Sequence, residues 1–184
     1  MKGICFKEPL FHKVVAGEKT QTRRIIIPPK GAYGLMIAKD NQGVVTGVYG
    51  YDANERTERP DGREWIVKPR YEVGEILFLK EPYCFQPYDT GKIDPYYRYG
   101  EMVTPIKAVW KNKLFMPEKY ARHFIKIIDV TAHKAHNITE AEAILEGCKN
   151  KAEFENWWIK IHGISSWQDN PWVWKYTFEN IYEL

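Results

Sequence analysis

Gly17-Glu18-Lys19-Thr20-Gln21-Thr22-Arg23-Arg24 lies between two segments of different periodicity, and its placement sets the reading of the chain. Before it, Pro9 to Ala16 reads as a helix. Proline suits a first turn, and Leu10, Val14 and Val15 share an apolar face. Gly17 stands where a helix C-cap belongs. After it, Ile25-Ile26-Ile27 is a β-branched strand stopped by Pro28-Pro29. The polar octet is therefore expected to be a loop leading from a helix into a strand, a common home for sites.

Outward from this stretch the same alternation of short elements continues. Gly3 to Phe6 reads as a first strand. Gly74 marks a turn before a buried strand, Ile76 to Leu79. Met116 to Arg122 suits one helical turn opened by Pro117, and Phe124 to Val130 a further strand. Thr139 and Glu142 form a capping box for a helix running to about Glu146 and ending at Gly147. A second helix covers about Ala152 to His162, with Phe154, Trp157, Trp158 and Ile161 on one face. Trp172 to Phe178 is dense in β-formers and is expected to be a central closing strand.

Two polar stretches break the pattern. Residues 30–68 are rich in Gly, Asp, Asn, Arg and Tyr. They carry a turn at Arg59-Pro60-Asp61-Gly62 and hairpin-like alternation from Val44 to Tyr49. They read as an insertion or flap rather than a separate domain. Residues 85–101 read as a loop rich in Tyr and Asp. Short strands punctuated by helices, with few βαβ units, predict an α+β fold built on a mostly antiparallel β-barrel, as one domain over 1–184.

Composition narrows the function classes. The net charge of +3 permits an RNA, nucleoside or phosphate partner but falls short of a duplex-binding face. Cys5, Cys84 and Cys148 form no CxxC pair, so zinc is not suggested, and an odd count suits a reducing compartment. His133 and His136 stand three apart without a further ligand. There is no apolar run of eighteen residues and no signal-peptide pattern. The expectation is a cytoplasmic monomer with no metal, no cofactor and no membrane partner.

The octet fits G-x-K-x-x-T-x-R through Gly17, Lys19, Thr22 and Arg24, which resembles the N-terminal signature of the ASCH family, a branch of the PUA-like fold. Gly74-Glu75-Ile76-Leu77-Phe78-Leu79-Lys80-Glu81 is similar to that family's G-D-x-L-W-V-x-E strand, with Glu75 for the usual Asp and Phe78 for the usual Trp. Met116-Pro117, Ala121-Arg122, the segment Ile138 to Gly147 and the tail Asn170-Pro171-Trp172-Val173-Trp174 resemble its phage or prophage subgroup. The resemblance implies a PUA-like barrel with helices at the rim, a cleft near the octet, and RNA or modified nucleosides as partners. A small relative hydrolyses N(4)-acetylcytidine with a Lys, a Thr and a Glu. The matching positions here are Lys19, Thr22 and Glu146.

That triad makes chemical sense. A Thr hydroxyl needs a base before it attacks, and a lysine base must be neutral. Burial and Arg23, Arg24 or Arg122 would lower the Lys19 pKa, while Glu146 would oppose that shift and could orient Lys19 or pass a proton. A carboxylate near a helix C-terminus also opposes the macrodipole, which favours a site role for Glu146. Arg23, Arg24, Glu81 and Arg122 are candidate ligand-binding residues. Glu81 either lines the pocket or pairs with Arg24 or Arg122, and the pairing is preferred. The resemblance leaves two functions open: a metal-independent amidohydrolase on N-acylated cytidine-like substrates, or a non-catalytic RNA-binding or phage accessory module.

Overall fold

The computed structural model describes residues 1–43, 45–58, 62, 64–85, 95–99 and 108–181. It is an α+β structure, mostly sheet with few helices. The central sheet has five strands: β1 (Lys2–Cys5), β2 (Gln21–Ile25), β5 (Ile76–Lys80), β8 (Phe124–Lys134) and β9 (Trp172–Ile181), in the order β1-β5-β8-β9-β2. β1 pairs with β5 in parallel, and the other three pairs are antiparallel. Two small hairpins lie outside it: β3 (Gly34–Lys39) with β4 (Val45–Tyr51), and β6 (Tyr83–Cys84) with β7 (Tyr96–Tyr97).

β8 and β9 form the spine, and a bulge governs how they pack. The register shifts between Ile127 and Asp129. An extra residue resets the inward–outward alternation of a strand. Ile125 and Ile127 point into the core before the bulge, Ile128 is pushed to the surface, and Ala132 is buried after it. One strand thereby serves two cores. The first gathers Ile4, Phe11, Leu77, Ile127, Tyr176 and Phe178 under helix α1 (Glu8–Val15), and the hairpin β3–β4 packs Val48 against Ile26 and Ala132 in another.

Helices α2 (Glu140–Leu145), α3 (Lys151–His162) and α4 (Ile164–Gln168) connect β8 to β9. The expected capping box is present: Glu142 N–H donates to Thr139 Oγ1 and Thr139 N–H to Glu142 Oε2. Phe154, Trp158 and Trp167 bury against Val173 of β9, which holds the helices to the sheet. α4 was not expected; a left-handed Gly163 at φ 89° ends α3 and redirects the chain into it. Pro117 precedes a 3₁₀ turn at Glu118–Tyr120, preceded by another at Lys113–Phe115. The expected turn at residues 59–62 and most of the 85–101 loop lie outside the described residues.

Two expectations need correction. The octet is not wholly a loop: Gln21–Ile25 is strand β2, paired with β9 from Gln21↔Thr177 to Ile25↔Val173, while Ile26 and Ile27 lie beyond it. β9 supplies backbone partners that local composition does not reveal. No closed barrel is found among the described residues, because β1 and β2 stand at opposite edges of the sheet. One side chain, Arg24, bridges those edges, and Tyr71 ties the segment before β5 to β1. Arg24 Nη2 donates to the Cys5 carbonyl at 2.9 Å, and the Tyr71 hydroxyl to the Gly3 carbonyl at 3.2 Å.

Candidate active site

The site begins where α1 ends. Gly17 takes φ 77°, and the backbone N–H groups of Glu18 and Lys19 both donate to the Lys13 carbonyl. Thr20 N–H reaches the Leu145 carbonyl at 2.8 Å, so the turn is tied to the last residue of α2. From there β2 runs along β9, and Thr22 and Arg23, on its opposite faces, are both buried.

Glu146 caps α2, and Gly147 follows at φ 83°. A Cβ on Gly147 would lie 3.2 Å from Lys19 Cβ and 3.1 Å from Lys13 Cδ. Left-handed backbone and close approach together demand glycine. Gly147→Ala is expected to destabilise the protein by about 1–3 kcal/mol, read as a lower urea midpoint with unchanged denaturant slope.

Lys19 and Glu146 meet in the interior, with Lys19 only 1% exposed. The ammonium donates to Glu146 Oε2 at 2.5 Å, to the Glu146 carbonyl at 2.7 Å and to the Gln21 carbonyl at 2.6 Å. Three acceptors match its three N–H bonds, which satisfies the charged form. Burial nonetheless pulls Lys19 below the ordinary lysine range, helped by Arg24 and opposed by Glu146. The other Glu146 oxygen accepts from Arg23 Nη1 at 2.9 Å. Arg23 Nη2 reaches Glu142 at 2.9 Å, and Lys175 meets the other Glu142 oxygen at 3.0 Å. Positive and negative groups thus alternate from Lys19 to Lys175. This resolves the unfavourable helix-end position of Glu146, since two cations outweigh the local dipole. For Glu142, burial pushes the carboxyl up, but the Thr139 N–H, Lys175 and Arg23 outweigh it and hold it below the usual range. Arg23 Nε and Gln21 Oε1 are buried without a hydrogen-bond partner among the described residues.

Beside this network lies a cavity of about 260 Å³. Lys19, Thr22, Arg23, Arg24 and Glu146 all line it. Its remaining wall is largely apolar, with Phe6, Leu10, Phe154, Trp157, Trp158 and Ile161, and also carries Lys7, Lys113 and His162. Arg24 sits over the Phe6 ring at 5.6 Å and Arg23 over Phe154 at 5.8 Å. Thr22 Oγ1 makes no hydrogen bond to Lys19 among the described residues, so the hydroxyl and the ammonium share the cavity without touching.

Glu81 and Arg122 are elsewhere. Arg122 grips Glu81 with two bonds, Nε to Oε1 and Nη2 to Oε2, each 2.8 Å, and also donates to the Tyr99 carbonyl. Neither lines the cavity. A fully buried carboxylate needs such a partner, and the bidentate fork provides it. Glu142, Lys175 and Cys148 were missed by sequence reasoning. The helical spacing of Phe154, Trp157, Trp158 and Ile161 marked a shared face, but not that it would wall a cavity.

Cys148 lines the cavity next to Lys19 and Glu146, and burial pushes its thiol up to about 11. A thiol is a nucleophile only as thiolate. Cys148 is therefore expected to resist iodoacetamide at about pH 8 while the less buried Cys5 reacts, as peptide mass mapping would show. Its folded pKa exceeds the ordinary 9.0, so the unfolded state releases this proton first. The contribution of this group to stability falls as pH rises from about 9 to about 11.

Among the described residues no cluster of His, Cys, Asp or Glu could hold a metal ion, and no helix is long and apolar enough to cross a membrane. Comparison with known protein families, curated proteins and solved structures finds no match to this chain.

Proposed function

We propose that this chain is an ASCH domain of PUA-like architecture, opened between β1 and β2, and that it hydrolyses an N-acylated cytidine-like nucleoside in the cavity beside Lys19, Thr22 and Glu146. One observation carries the reading: residues from a turn, a strand and a helix end, far apart in sequence, line a single aromatic cavity. At about 260 Å³ the space is near the lower end of ligand pockets, which suits one nucleobase and its acyl group. Phe154, Trp157 and Trp158 offer ring faces for a planar base.

In the reaction, Thr22 Oγ1 attacks the acyl carbon while its proton passes to neutral Lys19 Nζ. The carbonyl π pair moves onto oxygen, where Arg24, which lines the cavity, stabilises the charge. Collapse breaks the C–N bond, and the leaving exocyclic amine takes the proton from Lys19. Water then cleaves the Thr22 ester, with Lys19 again accepting a proton. Glu146 orients Lys19 throughout. The pathway requires Lys19 to release one of its carbonyl acceptors and turn toward Thr22.

A second reading is a module that binds the modified nucleoside without turnover. The three acceptors on Lys19 favour it, because they hold the ammonium charged and away from Thr22. An assay for carboxylate release from N(4)-acylated cytidines separates the two. Hydrolysis by the parent protein supports the first reading. Saturable binding without release supports the second, and neither event would reject both.

A further inference from the structure

β1 and β2 are the two edges of the central sheet, and both line a second cleft of about 550 Å³ through Gly3, Cys5 and Ile25. Alternate residues of an edge strand turn their backbone N–H and C=O away from the sheet. On β2 the Thr20 carbonyl accepts from Phe178 N–H and Ile26 N–H donates to the Trp172 carbonyl, both in β9. The even-numbered residues therefore face β9, and Arg23 and Ile25 face out. On β1 the Gly3 and Cys5 carbonyls accept from the Tyr71 hydroxyl and Arg24 Nη2, so these two residues face out. Among the described residues, the N–H groups of Gly3, Cys5, Arg23 and Ile25 and the carbonyls of Arg23 and Ile25 have no hydrogen-bond partner. Arg23 is buried, where unpaired backbone groups are costly. Paired strands lie about 4.8 Å apart and need no side chain between them, whereas here an arginine spans the gap. The cleft also holds exposed Ile27 and Leu114. Arg24, Lys68, Arg70 and Lys80 line it, with no carboxylate among the described residues.

We infer that this cleft takes an extended acidic peptide of a partner protein, which lies between β1 and β2 as an added strand and closes the sheet. β1 and β2 run in opposite directions, so the peptide is parallel to one and antiparallel to the other. Its N–H and C=O groups bond to Arg23 and Ile25 on one side and to Gly3 and Cys5 on the other. One peptide N–H takes the place of Arg24 at the Cys5 carbonyl. Main-chain pairing of this kind gives affinity, and side chains give selectivity. Carboxylates on the peptide meet Arg24, Lys68, Arg70 and Lys80, and its apolar side chains cover Ile27 and Leu114. A nucleic-acid backbone would also satisfy the cations, but it has no repeating N–H donor for the Arg23 and Ile25 carbonyls. The inference stands apart from the reading of the first cavity.

The test uses the full chain with an alternating Val/Glu octapeptide, its Val/Lys counterpart, the acidic peptide N-methylated at alternate amides, and a single-stranded hexanucleotide RNA. The acidic peptide is expected to bind saturably and to slow hydrogen exchange at the Cys5 and Ile25 amides by at least about tenfold. The lysine and N-methylated peptides are expected to bind at least about tenfold more weakly, the first through charge and the second through lost main-chain bonds. Lys68 and Arg70 are exposed, so Lys68→Glu/Arg70→Glu is expected to fold as the parent does and to reverse the preference toward the lysine peptide. No binding of the acidic peptide, or binding without protection of Cys5 and Ile25, would overturn the inference. So would equal binding of the N-methylated peptide, or RNA binding at the cleft with no peptide binding.

Discussion

Glu146→Ala is expected to destabilise the protein by about 3–5 kcal/mol, enough to threaten folding of a domain with ordinary stability. The substitution strips Lys19 and Arg23 of their shared counter-ion while both remain buried. An unpaired interior charge keeps its desolvation cost and loses the attraction that offset it. Arg23 retains Glu142, whereas Lys19 keeps just the Gln21 and residue-146 carbonyls. The measurement is the guanidinium midpoint. The double variant Lys19→Met/Glu146→Leu should lose less than Glu146→Ala alone, because it removes cation and anion together. Equal losses would mean that charge pairing contributes little.

Thr22→Val is expected to cut turnover of an N-acylated cytidine by about 10³-fold or more while leaving the fold and nucleoside affinity near those of the parent. Valine keeps the shape and β-branching that β2 needs and removes the attacking oxygen. Thr22 Oγ1 has no bond to Lys19 that the change would break, so a structural role would show little loss. In the parent, kcat/KM is expected to rise with pH through the Lys19 pKa, since the base must be neutral. Burial lowers that pKa, so the rise should level off below 10.5. A pH-independent rate, or full activity in Thr22→Val, would remove these residues from the chemistry.

What the sequence conveyed and what it withheld divide along physical lines. Elements specified locally were legible: Pro9 and Gly17 bracket α1, Thr139 and Glu142 cap α2, and the β-former run at Trp172 forms β9. Features that depend on distant partners were not. Arg23 looks like a solvated charge until Glu142 and Glu146 arrive from α2 to bury it. The Ile127–Asp129 bulge resets β8 without any glycine to announce it. Edge pairing was misjudged because strand periodicity says nothing about whether β1 and β2 meet. For the site, the family resemblance singled out Lys19, Thr22 and Glu146, which line one cavity; Glu81 and Arg122, also candidates for ligand binding, pair with each other away from it, the pairing preferred for Glu81 from the sequence.

The most direct test is an NMR titration of the parent with N(4)-acetylcytidine, following the Thr22 methyl and the indole N–H signals of Trp157 and Trp158. Ligand entry into the cavity predicts saturable shifts at these three residues, with little change in hairpin β3–β4. Shifts confined to other surfaces, or none at concentrations of a few millimolar, would contradict the account.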